Sequence, residues 1–201
     1  MIKVLLADDQ SLVLGALAAL LGAEDDLEVV ATCTSGDQVA AAVAEKAPDV
    51  CLLDIEMPGA NGIELVSQLA KSHPGLPCAL VTTFGRPGYL QRALEAGAKG
   101  FLVKDTPAEE LAVAVRKIHQ GETVIDPTLA IASITSGPNP LTAREIEVLQ
   151  EALTGVGIET IAQRLHLSAG TVRNHISSAI AKTHTSTRME AALTANEAGW
   201  L

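Results

Sequence analysis

Five short strand patterns, each followed by a helical pattern, occupy the first 120 residues and most constrain the fold. The strand patterns are Ile2–Ala7, Leu27–Cys33, Val50–Leu53, Cys78–Thr82 and Lys99–Val103, and the helical ones lie near 12–21, 38–45, 63–71, 89–96 and 108–119. The last helix has its own start signal, since Thr106 is placed to cap it and Pro107 suits the first helical position. Strands that alternate with helices predict a parallel sheet with helices on both faces. We therefore predict a doubly wound, five-stranded α/β domain over residues 1–120.

The alternation ends at Gly121, and the rest of the chain follows a different pattern. Residues 121–138 contain Gly, Pro, Ser and Asn among a few apolar residues, which predicts a linker that docks in part. From 139 to 201 only helical patterns occur, beginning with a capping box formed by Thr142 and Glu145. Further helices are predicted near 158–165, 169–182 and 187–197. The second domain is therefore predicted to be small and all-α.

The average charge of the chain hides a local basic stretch. The formal net charge is −10, and residues 1–122 hold 9 Lys/Arg against 17 Asp/Glu. Residues 160–188, in contrast, contain Arg164, Arg173, Lys182 and Arg188 and no acidic residue. Such a stretch is what contact with a nucleic-acid backbone needs. The acidic average therefore does not exclude a DNA partner.

Cysteine content and apolar runs indicate a reduced, cytoplasmic chain without membrane insertion. The three cysteines are an odd number without CxxC spacing, so neither a disulfide framework nor a zinc site is indicated. The longest uncharged apolar stretch, Leu12–Ala23, is twelve residues, whereas a bilayer span needs about 20. The first ten residues contain no signal-peptide cleavage region.

Acidic and polar residues lie at the carboxyl ends of the predicted strands. Asp8 and Asp9 follow the first strand, Asp54 follows the third, Thr82 ends the fourth and Lys104 follows the fifth. In a doubly wound sheet these strand ends form the ligand-binding edge. Three carboxylates repel one another unless a cation compensates, and hard oxygen ligands favour Mg²⁺. A carboxylate beside Mg²⁺ and a lysine is suited to accept a phosphoryl group, with a threonine hydroxyl donating to one of its oxygens.

These segments resemble the receiver domain of bacterial two-component response regulators, which has a flavodoxin-like fold. The resemblance covers residues 1–120 and is carried by MIKVLLADDQ (1–10), CLLDIEMPGANGIEL (51–65) and ALVTTFGRPGYLQRALEAGAKGFLVKD (79–105). It implies that Asp54 is the phospho-acceptor and takes its phosphoryl group from a cognate sensor histidine kinase. It implies a protein that also removes this group from itself, and not a metabolic enzyme.

The resemblance further implies roles for the residues around Asp54. The implied Mg²⁺ ligands are Asp8, Asp9, Asp54 and the backbone carbonyl of Glu56. Thr82 and Lys104 are expected to contact the phosphoryl oxygens, and Phe101 occupies the position of an aromatic switch that turns inward when the threonine moves. Glu56 and Phe84 are expected to tune the lifetime of the aspartyl phosphate.

Residues 158–182 predict a helix, a short turn and a longer helix that Ser168 is placed to cap. On the longer helix the apolar stripe is Val172, Ile176, Ala179 and Ile180. The opposite face carries the polar residues Asn174, Ser177 and Ser178, flanked by Arg173 and His175. Such a helix suits the DNA major groove. From this pattern alone, a small bundle whose polar face meets only water is an equal alternative.

About residues 138–192 resemble the LuxR-type helix-turn-helix of the NarL/FixJ response regulators. The resemblance is carried by Leu141-Thr142-x-Arg144-Glu145 and Thr171-Val172-Arg173-x-His175. It implies base contacts by Arg173, Asn174 and Ser177, and phosphate-side contacts by Thr171, His175 and Lys182. The modest basic content predicts weak DNA binding by one monomer, which a dimer on two half-sites would strengthen.

The combined prediction is a transcription factor that a phosphoryl group on Asp54 activates. It is expected to form a homodimer, to bind double-stranded promoter DNA and to work with RNA polymerase. The dimer face stays open between the first and fifth helices and the fourth helix, fifth strand and fifth helix. Residues 82–105 most resemble the DesR-like branch of the family, which implies a role in regulating membrane-lipid genes.

Two functions of other classes are alternatives to this one. A phosphohydrolase of the haloacid dehalogenase type also uses a strand-end Asp and Mg²⁺, but it needs a second Asp two residues later. Asp54 is followed by Ile55 and Glu56 instead. A receiver whose helical domain binds a protein is disfavoured by the acid-free stretch 160–188 but stays an alternative.

Overall fold

The computed structural model describes residues 1–83, 85–136 and 138–201. The chain forms two compact units. The first comprises Met1–Gly85 and Leu90–Ala132, and the second comprises Arg86–Tyr89 and Ser133–Leu201.

The first unit is built on a parallel sheet. Its strands are β1 (Ile2–Ala7), β2 (Leu27–Cys33), β3 (Val50–Asp54), β4 (Cys78–Thr82), β5 (Gly100–Val103) and β6 (Val124–Ile125). They lie in the order β2-β1-β3-β4-β5-β6, and all neighbouring pairs are parallel. The prediction of a doubly wound sheet is confirmed, with one strand more than predicted. β6 is two residues long, which is too short to produce a periodic pattern.

Helices connect the strands and cover the sheet. They are α1 (Ser11–Leu21), α2 (Gly36–Lys46), α3 (Gly62–Ser72), α4 (Pro87–Ala96), α5 (Ala108–His119) and α6 (Pro127–Ser136). α1 and α5 share one core with Val4 and Leu6 of β1, whereas Leu5 between them is buried on the opposite face. One start signal was interpreted incorrectly. Pro107 occupies the N-cap position of α5, and the Thr106 hydroxyl donates to the Val103 carbonyl instead of capping the helix.

The second unit is helical throughout residues 138–201. Its helices are α7 (Ala143–Leu153), α8 (Ile158–Arg164), α9 (Ala169–Thr183) and α10 (Arg188–Glu197). Its core is formed by apolar residues from all four helices, with Val148, Ile161, Val172 and Ala191 fully buried. The predicted all-α domain and its helix-turn-helix are therefore confirmed.

The sequence also predicts that the chain has no disulfide framework and no membrane-spanning helix. Cys33, Cys51 and Cys78 are free thiols buried in β2, β3 and β4. Among the helices in the described part of the chain, none has both the length and the apolarity needed to cross a lipid bilayer.

Candidate functional site

The first candidate site lies where four parallel strands end. Asp8 and Asp9 directly follow β1, Asp54 ends β3, Thr82 ends β4 and Lys104 directly follows β5. Asp8, Asp54 and Thr82 are buried, whereas Asp9 is exposed. The backbone N–H of Lys104 donates to the Thr82 carbonyl, which joins the last two strand ends. Parallel winding therefore brings the five residues singled out in the sequence to one edge of the sheet.

A buried lysine connects two of the carboxylates. Lys104 Nζ lies 2.6 Å from Asp8 Oδ2 and 3.0 Å from Asp54 Oδ2, and its side chain is only 5% exposed. Burial raises the pKa of Asp54, and the Lys104 ammonium partly opposes this shift. Burial acts to lower the pKa of Lys104, but hydrogen bonds to Asp8 and Asp54 outweigh it and raise that pKa. Lys104 is therefore a permanent positive charge beside the Asp54 carboxylate.

The carboxylate cluster has the chemistry of a site for a hard divalent cation. Asp8, Asp9 and Asp54 each place an oxygen within 4.8 Å of the other two. Two of these side chains are held in place from the backbone, since Asp54 Oδ1 accepts from the Ile55 N–H at 2.8 Å and Asp8 Oδ1 from the Gln10 N–H at 2.9 Å. An all-oxygen, anionic set of ligands fits Mg²⁺.

The other residues named around Asp54 lie at different depths. Phe101 on β5 is 1% exposed and pairs in register with Leu80 of β4 and Ile125 of β6. The Glu56 side chain is exposed two residues after Asp54. Phe84, expected to tune the lifetime of the aspartyl phosphate, lies outside the described residues.

The second candidate site is the outward face of α9. Arg173, Asn174 and Ser177 are exposed on it, and Thr171 and His175 are half-buried. The opposite side of the same helix contributes the buried residues Val172, Ile176 and Ala179. Ser168 caps α9 as predicted, because its hydroxyl accepts from the Thr171 N–H at 3.0 Å. The predicted apolar face of α9 is confirmed for Val172, Ile176 and Ala179, but Ser178, predicted on the polar face, is half-buried and donates to Glu145 Oε1 at 2.6 Å.

Two cations of this region already have acidic partners. Arg173 Nη2 lies 3.3 Å from Glu159 Oε1 on α8, and both side chains are exposed. Lys182 Nζ lies 2.7 Å from Glu145 Oε2 on α7. The family resemblance implies that Lys182 contacts a DNA phosphate. In this structure its charge is neutralised by Glu145 of the same domain.

Glu145 is a structural centre of the second unit that the sequence analysis described only as part of a capping box. It is 3% exposed and accepts hydrogen bonds from the Thr142 N–H, the Ser178 hydroxyl and the Lys182 ammonium. Burial acts to raise its pKa, but these hydrogen bonds outweigh it and lower the pKa to about 2. The capping box was visible in the sequence, but the partners on α9 lie more than 30 positions away and gave no local signal.

Comparisons with known proteins show the family of each part of the chain. Residues 4–116 match the family model described as "Response regulator receiver domain", and residues 139–195 match "Bacterial regulatory proteins, luxR family". The transcriptional regulatory protein DesR of Bacillus subtilis (strain 168) is 45% identical over 200 residues, which cover 100% of this chain and 99% of that protein. The chain is a NarL/FixJ-type response regulator.

Other relatives of this response regulator extend over nearly all of its length. The transcriptional regulatory protein UhpA of Escherichia coli (strain K12) is 37% identical over 192 residues, covering 96% of each chain. The crystal structure of response regulator ChrA, from a heme-sensing two-component system, is 34% identical with a TM-score of 0.61, covering 100% of this chain and 98% of that one.

Family membership establishes the general function. This response regulator joins a receiver domain to a LuxR-type DNA-binding domain and is a transcription regulator, not a metabolic enzyme. The receiver edge and α9 are accordingly the two places where its chemistry and its DNA contacts are to be sought.

Proposed function

We propose that Asp54 accepts a phosphoryl group from a cognate sensor histidine kinase. The observation that carries this proposal is the buried Asp54 carboxylate, with the Lys104 ammonium 3.0 Å away and two further carboxylates beside it. Mg²⁺, held by the side chains of Asp8, Asp9 and Asp54 and by the Glu56 carbonyl, would supply positive charge to the transferring oxygens. We retain residues 1–120, 121–138 and 139–201 as the proposed receiver, linker and DNA-binding domain.

Asp54, Lys104 and Thr82 have different roles in the proposed phosphoryl transfer. An Asp54 carboxylate oxygen attacks phosphorus while the bond from phosphorus to the kinase's histidine nitrogen breaks, and that nitrogen keeps the electron pair. Lys104, already beside Asp54, neutralises a phosphoryl oxygen, and the Thr82 hydroxyl donates to another. Later attack by water on the same phosphorus regenerates the carboxylate, which makes the protein its own phosphatase.

The new phosphate couples the site to the rest of the receiver. It adds negative charge and strongly accepting oxygens next to Thr82 and Lys104. Drawing these two side chains inward favours one of two packings of β4, β5 and their helices, with Phe101 filling the space beneath. In the favoured packing, the receiver forms a homodimer either through α1 and α5 or through α4, β5 and α5.

The paired DNA-binding domains then bind promoter DNA in the cytoplasm. Arg173, Asn174 and Ser177 are exposed on α9 and are proposed to contact base edges in the major groove. The proposed phosphate-side contacts are Thr171, His175 and Lys182. RNA polymerase is the proposed partner at the promoter, and the regulation of membrane-lipid genes stays a prediction from the DesR-like resemblance.

Intact mass after incubation with acetyl phosphate tests the acceptor. We expect a Mg²⁺-dependent phosphoryl adduct on the natural protein and none on Asp54→Asn. Asp25→Asn is the matched control, since it removes the same charge from an exposed position outside the site, and it should keep the adduct. An adduct that persists on Asp54→Asn, or none on folded natural protein, would contradict the proposal.

A further inference from the structure

The loop that follows Asp54 carries one of the proposed Mg²⁺ ligands. Residues 55–61, which we call the acceptor loop, connect β3 to α3 and include Glu56, whose backbone carbonyl is that ligand. The side chains of Asp8 and Asp54 are each fixed by a hydrogen bond from a neighbouring backbone N–H. A backbone carbonyl lies in its rigid peptide plane, so its direction depends on the conformation of the loop itself.

The two ends of the acceptor loop are fixed by hydrogen bonds close to them in sequence. The N–H of Gly62, the first residue of α3, donates to the Ile55 carbonyl at 3.1 Å. Asn61 and Glu64 form a capping box at the start of the same helix. None of these bonds reaches residues 57–60, the middle of the loop.

The start of α2 packs against this middle part. Gly36, the first residue of α2, donates its N–H to the Pro58 carbonyl at 3.0 Å. This N–H is one of the first four of the helix, which have no partner within the helix. A Cβ added to Gly36 would lie 1.9 Å from the Ala60 carbonyl oxygen. The helix and the loop therefore approach this closely only because residue 36 is a glycine.

Asp37, the next residue of α2, packs on the same loop. A Cβ added to Gly59 would lie 2.5 Å from the Asp37 carboxyl carbon, and Gly59 has a φ of +81°. The acceptor loop therefore makes a left-handed turn directly beside the Asp37 side chain. The first two residues of α2 thus contact three consecutive loop residues, Pro58, Gly59 and Ala60.

We propose that Gly36 and Asp37 are positioning residues for the Mg²⁺ site, because they set the conformation of the acceptor loop and with it the direction of the Glu56 carbonyl. Neither residue belongs to the cluster of Asp8, Asp9 and Asp54, so both act through the loop. The inference rests on the proposed set of Mg²⁺ ligands. Residues that orient a metal ligand change the affinity for the metal when they are replaced, although they do not touch it.

The Mg²⁺ affinity of the full-length, unphosphorylated protein tests the role of Gly36. Backbone amide shifts followed by NMR during titration with magnesium chloride report metal binding without a phosphoryl donor. Gly36→Ala should weaken Mg²⁺ binding by roughly ten-fold, because the new methyl group displaces the Ala60 carbonyl and the loop with it. Gly15→Ala is the matched control, since an added Cβ at Gly15 meets nothing within 4 Å, and it should keep the natural affinity. Natural Mg²⁺ affinity in folded Gly36→Ala would overturn the inference.

A second readout separates positioning from a general loss of structure. In Gly36→Ala, the Mg²⁺ concentration that gives half the maximal rate of adduct formation with acetyl phosphate should rise by the same factor. The rate at saturating Mg²⁺ should stay close to that of the natural protein. A lower rate at saturating Mg²⁺ with an unchanged half-saturating concentration would overturn the inference.

The natural protein separates this inference from the proposals on which it rests. Absence of Mg²⁺ binding by the folded natural protein would contradict the proposed ligand set and, with it, the positioning role. Mg²⁺ binding without an adduct would contradict the proposed phospho-acceptor, whereas the titration of Gly36→Ala would still decide the positioning role.

Asp37 gives the same test without an added side chain, so it decides the matter if Gly36→Ala does not fold. Asp37→Ala removes the group that packs on Gly59 and should weaken Mg²⁺ binding several-fold. Asp37→Asn removes the same charge but keeps the shape of the side chain, so it should bind Mg²⁺ more tightly than Asp37→Ala. Equal weakening in the two variants would show that charge is responsible, and unchanged affinity in Asp37→Ala would show that the contact does not position the loop. Either result would overturn the inference.

Discussion

Each domain of this protein has one buried carboxylate whose pKa is shifted, and the two shifts are in opposite directions. Asp54 is buried, its pKa is raised by that burial, and it stands beside one lysine in a site open to chemistry. Glu145 is equally buried, but its hydrogen bonds from Thr142, Ser178 and Lys182 stabilise the charged form and lower its pKa. Glu145 therefore fixes α7 to α9, the helix that we propose contacts DNA.

Replacing Glu145 should remove a pH-dependent part of the stability. A pKa lowered to about 2 from the ordinary value of 4.5 means that the contribution is complete above pH 4.5 and is lost as the pH falls towards 2. Glu145→Gln should lower the free energy of unfolding by roughly 2–3 kcal/mol at pH 7, and the difference from the natural protein should shrink below pH 4. Urea unfolding followed by the fluorescence of Trp200, the only tryptophan, measures this in the second domain.

The matched control for this substitution is Glu147→Gln. Glu147 lies on the same helix and pairs with Arg144, but both side chains are well exposed, so the loss of stability should be below about 1 kcal/mol. A difference between Glu145→Gln and the natural protein that stays constant from pH 7 to pH 3 would contradict the assigned pKa.

At the scale of elements, strands and helices with full hydrophobic patterns could be predicted closely, and short or contextual ones could not. β1, β2 and β4 have their predicted bounds, and in β1 and β4 a run of four buried apolar residues marks a strand buried on both faces. β6 and α6 could not be predicted, because β6 has two residues and α6 lies in a segment of Gly, Pro and Ser. Both form through tertiary contacts, the pairing with Phe101 and the burial of Leu129.

The residues of the two candidate sites also differ in how far the sequence predicts them. The strand-end residues at the receiver edge could be predicted, since parallel winding alone brings Asp8, Asp54 and Lys104 together. The partners of Arg173 and Lys182 could not, because Glu159 and Glu145 reach them across helix–helix packing. The acid-free stretch 160–188 thus begins directly after Glu159, which pairs with Arg173 of that stretch.

The α8–α9 pair gives a direct test of that neutralisation. Glu159→Gln should free Arg173 and remove a negative charge beside α9, so affinity for DNA should rise by about two- to five-fold at low salt and less at high salt. Fluorescence anisotropy with a DNA fragment selected by the natural protein measures the effect. Glu147→Gln changes the net charge equally on another helix and should have a smaller effect; equal effects would show that overall charge, not Arg173, is responsible.

At the scale of the whole molecule, the two domains divide charge as well as function. The receiver residues account for most of the net charge of −10, whereas residues 160–188 carry only positive formal charge. One DNA-binding domain with so few cations would release few counterions from DNA, so we expect it to bind weakly. Two domains brought together would bind with higher effective concentration, and the proposed dimerisation of the receiver would then control DNA binding.

The central claim is that a phosphoryl group on Asp54 increases the affinity of the whole protein for DNA. The most direct measurement is the anisotropy titration of the full-length protein before and after acetyl phosphate treatment, with the adduct verified by intact mass. We predict at least ten-fold tighter binding for the phosphorylated natural protein and for phosphorylated Asp25→Asn, and no change for treated Asp54→Asn. Equal affinity of the natural protein with and without a verified adduct would contradict the account.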